Sequence, residues 1–363
     1  MKTKKSTLHI QKGKAKQNAV SNLAKQQAKT FRKQVRDVDY YFDGIRQQNR
    51  QILSQAITLV ESRNESHKAK AQELIKRCLP FTKEAIRIGI TGVPGVGKST
   101  FIESFGLYLC REQNKKVAVL AVDPSSETNK GSILGDKTRM EELSIEPKAF
   151  IRPSPTSSSL GGVSRRTRES IVLCEAAGFD VIIIETVGVG QSETAVHSMV
   201  DFFLLLALAG AGDELQGIKR GIMEMADAVA LTKADGANAV FCKQAQSQFR
   251  QALHLLPAKS SDWIPPVFLT SAIETKGIEE VYKSICSFEN QTKINGFFEQ
   301  HRAEQHLFWF RESLNFKLND LLYKTPNLKS KIKQFENQIL EQNLSPFQAS
   351  EELFKLFLKS LSD

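Results

Sequence analysis

The stretch GVPGVGKST, Gly92–Thr100, follows directly on the apolar run AIRIGIT, Ala85–Thr91. Gly92, Gly97, Lys98 and Ser99 satisfy the spacing G-x-x-x-x-G-K-[ST], between a strand-like run and a helix start, which is the context this loop needs. The glycines let the backbone through Pro94, Gly95 and Val96 turn its N–H groups onto a β-phosphate. The helix N-terminus at Lys98, Ser99 and Thr100 adds positive potential. Lys98 is placed to bridge the β- and γ-phosphates, and the Ser99 hydroxyl to ligate Mg²⁺. The loop therefore predicts a nucleotide site, and its strand–loop–helix setting predicts an α/β fold.

The flanking sequence agrees. From residue 85 onward, short apolar runs alternate with helix-length segments: AIRIGIT, KVAVLAVD, AFIRP, DVIIIETVGVG, DFFLLLALAG, DAVALTKAD and PPVFLTSA. Seven strand candidates spaced in this way predict a mostly parallel central sheet with helices on both faces. Ahead of it, residues 41–78 read as helices, with RQILSQAITLVES placing Ile52, Leu53, Ala56, Ile57, Leu59 and Val60 on one face. After about Asn290 the helical period returns. FFEQHRAEQHLFWFRESLNFKLNDLLYK predicts one long amphipathic helix stopped at Thr325-Pro326, followed by two more helical segments, the last announced by LSP. The expected organisation is a basic, unordered tail over 1–40, a helical extension over 41–80, the phosphate-loop domain over 81–289, and a C-terminal helical region over 290–363.

The chain has 363 residues and a formal charge of +10, which invites a nucleic-acid reading. However, residues 1–36 hold eleven Lys and Arg and no acid, so the remaining 327 residues carry −1. The body is not basic, and neither a nucleic-acid nor a membrane partner is expected. The tail reads as a solvated arm. Five dispersed cysteines without a CxxC pair fit a reducing compartment and neither a disulfide framework nor zinc. FFLLLALAGAG, 11 residues from Phe202, is too short to span a bilayer. The N-terminus is Lys-dominated rather than Arg-rich, so a bacterial cytoplasm is expected over a mitochondrial matrix.

Three further stretches bear on the choice of nucleotide. ETVG, Glu185–Gly188, ends a strongly apolar strand, putting a carboxylate beside the loop where a Mg²⁺-organising acid belongs. Gly188 can offer an N–H to the γ-phosphate. TKAD, Thr232–Asp235, follows DAVAL. A carboxylate at Asp235 can accept from both N1–H and N2–H₂ of guanine, a donor pair adenine lacks, while the Lys233 stem lies over the base. Thr232 stands where Asn is usual, although the TKxDG spelling resembles the signal-recognition-particle GTPases. TSA, Thr270–Ala272, fits the loop that supports guanine O6 through Ser271 and Ala272. Gln191 lies three residues beyond Gly188, a weak position for orienting water. Lys219 and Arg220 are the candidate charge stabilisers.

AVDPSS…GSILGDKTRM, RPSP…LGGVSRRTRE, CEAAGFDVIIIETVGVGQSE and GAGDELQGIKRGIMEMADAVALTKADG together resemble the methylmalonyl-CoA mutase-associated GTPases, the MeaB/ArgK type, across roughly residues 50 to 280. The resemblance implies that Asp123 and Asp136 join Glu185 around Mg²⁺. It also implies that GDELQGIK, Gly212–Lys219, reports the nucleotide state to a mutase. Ser158 departs from the family's usual Gly. The implied activity is that of a GTP-hydrolysing chaperone, with GTP/GDP and Mg²⁺ as its ligands. It would gate adenosylcobalamin delivery to methylmalonyl-CoA mutase or a related acyl-CoA mutase and expel damaged cofactor. The implied homodimer would form through the C-terminal helices. The apolar face there (Leu307, Phe308, Phe310, Leu314, Leu318, Leu321, Leu322) suits a dimer or the chain's own core, the dimer being favoured. A γ-phosphate-transferring kinase and a nickel-inserting GTPase are the alternatives. The first lacks a visible acceptor base and the second a Cys or His metal cluster.

Overall fold

A computed structural model describes residues 36–62, 64–82, 85–122, 140–152, 160–186, 192–209 and 220–360. The basic tail through residue 35 lies outside them. Three helices open the described chain: α1 (Val38–Arg46), α2 (Arg50–Glu61) and α3 (Glu65–Cys78). Each begins at an Asx residue whose side chain accepts from first-turn N–H groups. Asp37 accepts from Tyr40, Asn49 from Gln51 and Ile52, and Asn64 from Ser66. Such caps satisfy donors that the helix itself leaves free. The α2 face expected from periodicity is buried at Leu53, Ala56, Ile57, Leu59 and Val60, with Ile52 packed at its edge.

The α/β body follows in the order β1 (Ile86–Gly92), α4 (Lys98–Arg111), β2 (Val117–Val122), α5 (Glu141–Ile145), β3 (Ala149–Arg152), α6 (Leu160–Ala176), β4 (Val181–Thr186), α7 (Ser192–His197), β5 (Phe202–Ala207), α8 (Arg220–Met225), β6 (Ala228–Leu231), α9 (Ala239–His254) and β7 (Val267–Leu269). All seven expected strands form. They make one sheet in the order β3-β2-β4-β1-β5-β6-β7, and every pairing is parallel.

Helices cover both faces, so the strands are mostly apolar. Ile86, Ile88 and Ile90 pack on Phe101, Phe105 and Leu109 of α4 and on Val281, Ile285 and Phe288 of α10 (Ile278–Ile294). Ile182, Ile184 and Phe203 face the other way, onto Ile171 of α6, Val196 of α7, and Leu53 and Ile57 of α2. Fully burying side chains of this size contributes about 1.5–3 kcal/mol each.

Three helices close the described chain: α11 (Phe297–Lys324), α12 (Pro326–Leu340) and α13 (Pro346–Ser360). Thr325-Pro326 breaks the first from the second, as the sequence predicts. The first half of α11 docks on the body through Phe298, Arg302, Gln305 and Trp309. Arg302 pairs with Asp201 at 2.6 Å, Gln305 Nε2 donates to Val200 O, and Trp309 Nε1 donates to Ser198 O. The spacing of four, three and four residues is one helical face. Leu307, Phe308, Phe310, Leu314, Leu318 and Leu321 stay exposed, and Leu322 is half-buried. The chain's own core therefore does not take this face.

β1 lies at the centre, flanked by β4 and β5, and its crossover to β2 runs opposite to the later ones toward β5–β7. Sheets of this kind bind ligands where the order reverses, outside the carboxyl ends of the strands. The phosphate loop occupies that position.

Candidate nucleotide site

The loop leaves β1 at Gly92, where any Cβ would approach Leu206 O to 2.6 Å. It enters α4 through Gly97, whose φ of +96° lies in the left-handed region. Both positions need glycine. Pro94, Gly95 and Thr100 are exposed, whereas Val96 is buried and anchors the turn from below. Lys98 Nζ folds back to donate to Gly92 O at 2.8 Å and Val93 O at 3.4 Å. Burial lowers the Lys98 pKa, and the carboxylates of Glu185 and Glu193 pull it the other way. The ammonium thus lies within the field of two acids.

Register delivers Glu185 there. Ile90 of β1 pairs with Glu185 of β4, so the carboxylate emerges level with the start of the loop. Glu185 is 5% exposed, and its Oε1 accepts from Ser99 Oγ at 3.5 Å. A hydroxyl and a carboxylate side by side are hard oxygen donors of the sort Mg²⁺ takes. Beneath them Thr186 Oγ1 donates to Thr91 Oγ1 at 2.9 Å, joining the two strand ends. The remaining phosphate-side expectations, Asp123, Asp136, Gly188, Gln191, Lys219 and the GDELQGIK stretch, fall outside the described residues, as does Ser158. Arg220 opens α8 and pairs at the surface with Glu224 at 2.9 Å.

The TKAD segment leaves β6 and is fastened to the phosphate loop at two points. Thr232 Oγ1 donates to Val96 O at 2.7 Å, and Lys233 Nζ donates to Gly95 O at 3.0 Å. Lys233 has φ +56°, and its carbonyl accepts from Asn238 Nδ2 at 2.8 Å. Asp235 then meets the TSA segment: Ser271 Oγ donates to Asp235 Oδ2 at 2.5 Å. Ser271 is itself fixed by paired backbone bonds with Lys276, 3.0 Å each way. One carboxylate oxygen is thereby held. Ala272 is half-buried alongside. The structure thus joins Lys98, Ser99 and Glu185 on one side and Thr232, Lys233, Asp235, Ser271 and Ala272 on the other, around one loop. Such an arrangement can grip phosphates at one end and read a base at the other.

Sequence reasoning missed Glu193 and the two ties between loops. Glu193 is 4% exposed and acts on Lys98. An acid inside GQSE, close after ETVG, was the available signal. The ties could not be read, because a hydroxyl's partner 136 positions away leaves no local pattern.

The family model described as "Methylmalonyl Co-A mutase-associated GTPase MeaB" matches residues 53–327. GTPase ArgK of Escherichia coli is 46% identical over 302 residues, spanning 83% of this chain and 91% of its own. The mouse protein named methylmalonic aciduria type A homolog, mitochondrial, is 45% identical over 335 residues, spanning 90% and 80%. A crystal structure named as an LAO/AO transport system kinase aligns with a TM-score of 0.69 at 38% identity, over 88% of this chain and 97% of that one.

Proposed function

The chain belongs to the methylmalonyl-CoA mutase-associated GTPase family, and on that premise we propose that it is a Mg²⁺-dependent chaperone that uses GTP hydrolysis to gate adenosylcobalamin loading of methylmalonyl-CoA mutase or a related acyl-CoA mutase. The observation that carries the reading is the Asp235 carboxylate, held by Ser271 and tied through Thr232 to the phosphate loop. A base reader clamped to a phosphate cradle makes guanine recognition a condition of phosphate alignment.

Hydrolysis transfers the γ-phosphoryl group to water, giving GDP and phosphate, and the protein's part is positioning and electrostatics. Lys98 leaves the carbonyls of Gly92 and Val93 to meet the β- and γ-phosphates. The loop N–H groups and the N-terminus of α4 neutralise the rest. Ser99 and Glu185, with Asp123 and Asp136, would hold Mg²⁺, which supplies charge neutralisation across the phosphates. Asp235 accepts from guanine N1–H and N2–H₂, with Ala272 beside O6. Lys219, at the end of GDELQGIK, supplies positive charge when the mutase is bound, and Gly188 supplies an N–H to the γ-phosphate. The exposed face of α11 closes a homodimer, and the compartment is the cytoplasm. No helix among the described residues is long and apolar enough to cross a membrane.

The test is capture from the source cell on protein loaded with a non-hydrolysable GTP analogue. An acyl-CoA mutase retained with that analogue and released with GDP supports the reading. Equal retention in both states removes the gating role.

A further inference from the structure

The buried charges of this chain are not spent only at the nucleotide site. A cavity of about 440 Å³ lies among α3, α6 and α11. It reaches Arg87, the second residue of β1, about 16 Å along that strand from Gly92 at 3.3 Å per residue. Four arginines line it: Arg87, Arg165, Arg168 and Arg302. Three have carboxylate partners. Arg87 Nε donates to Glu175 at 2.8 Å, Arg165 Nε to Glu169 at 3.0 Å, and Arg302 Nη2 to Asp201 at 2.6 Å.

Arg168 has no such partner among the described residues. It is 6% exposed, and its buried Nε has no hydrogen-bond acceptor. Its guanidinium lies against the rings of Phe308 and Trp309, 5.3 and 5.6 Å from their centroids. Glu312 acts on it only from beyond ion-pair distance, and burial pulls its pKa down to about 10. Arg87 is 4% exposed and adds a second orphan, a buried Nη1 without an acceptor. Its guanidinium carbon is 5.5 Å from the same Trp309 centroid. At the rim, burial and then the charges of Arg87 and Arg302 lower the pKa of His306. Native proteins rarely bury guanidinium hydrogens without acceptors, and a charge left so is costly unless something else pairs with it. One guanidinium without a carboxylate and a second with a spare buried Nη1, lining one cavity, suit an anion.

We propose that this cavity is a second ligand site, for a small metabolite bearing an oxyanion, phosphate or carboxylate. Its oxygens pair with the guanidinium groups of Arg168 and Arg87, and its apolar part lies against Val172 and the Trp309 ring. Arginine's planar fork suits either oxyanion. The occupant touches α6, β1 and α11 together, so it fastens the C-terminal helices to the body. The nucleotide assignment plays no part in this inference.

The test uses the full chain saturated with GDP and Mg²⁺, which keeps the phosphate loop out of competition. Thermal unfolding and calorimetric titration are followed with inorganic phosphate, pyrophosphate, succinate and citrate, with chloride at matched ionic strength as the blank. A saturable rise in Tm with one class of probe is expected, and the class that acts identifies the oxyanion. Arg168→Met should lose that rise while unfolding no lower than wild type without ligand, because it removes a lone buried charge. Arg168→Lys keeps the charge without the fork and should weaken binding at least tenfold, and it decides the matter if the Met variant does not fold. Absence of any saturable response up to millimolar concentrations, or a response that survives in both variants, overturns the proposal.

Discussion

The hydroxyl of Thr232 donates to the carbonyl of Val96 at 2.7 Å, joining the end of β6 to the middle of the phosphate loop. Thr232 is 5% exposed and stands where Asn is usual in this motif. A hydroxyl can make such a tie, since it needs one donor aimed at one carbonyl. Thr232→Val keeps the shape and removes that donor. Stranding a buried acceptor costs about 1–3 kcal/mol, so the variant should unfold at lower denaturant and bind GTP more weakly, whereas Thr232→Ser should retain both. Denaturant unfolding and nucleotide titration measure this. Unchanged stability and affinity in the valine variant would mean that the tie carries no load.

Asp235 is the residue expected to choose the base. Asp235→Asn keeps an acceptor for guanine N1–H but points a donor at the guanine amino group. Losing a hydrogen bond to a charged group costs about 1.5–3 kcal/mol, so GTP binding should weaken at least tenfold. Xanthine carries a carbonyl in that position, and xanthosine triphosphate should bind the variant better than the parent. Titration of both nucleotides against both proteins decides, and an unaltered GTP affinity would take Asp235 out of the site.

The parts of this molecule legible in its sequence are those with local grammar. Each of the seven strands follows from an apolar run between turn residues, and Thr325-Pro326 ends α11 because proline cannot donate to the helix it would continue. The phosphate loop and TKAD are likewise contiguous spellings. The pairings Arg87–Glu175, Asp201–Arg302 and Thr232–Val96 are different. They join residues that only the folded sheet brings together, so no window of sequence holds both partners. One clue was visible: Arg87 interrupts the isoleucines of AIRIGIT, where a strand covered on both faces admits a charge only with a partner.

The exposed face of α11 gives a prediction about assembly. Leu318 and Leu321 are 50% and 45% exposed, on the half of the helix beyond its docking at Trp309. The pair Leu318→Glu and Leu321→Glu should give a monomer by light scattering with GTP binding intact. A dimer that survives both changes excludes this face.

The half-buried imidazole of His197 sets a pH response. Burial lowers its pKa from 6.5 to about 4; Asp227 opposes the shift, while Lys259 and His301 reinforce it. The folded state keeps the ring neutral while the unfolded chain takes up a proton as pH falls through 6.5. This group's stabilisation is therefore complete above 6.5 and is lost as pH falls toward 4, by up to about 3 kcal/mol. The unfolding free energy of wild type relative to His197→Gln, which cancels the carboxylates common to both, should decline across that window. A flat difference contradicts the burial of the neutral ring.

The most direct measurement is phosphate release from GTP and from ATP by the purified chain, alone and with a cobalamin-dependent acyl-CoA mutase, with Lys98→Ala as the blank. The account expects release from GTP and not ATP, slow alone because no described arginine is poised over the phosphates. The mutase should accelerate it, since one supplied positive charge can contribute about 10³–10⁵ in related enzymes, and Lys98→Ala should give none. Equal turnover of ATP, or a GTP rate that the mutase leaves unchanged, would contradict it.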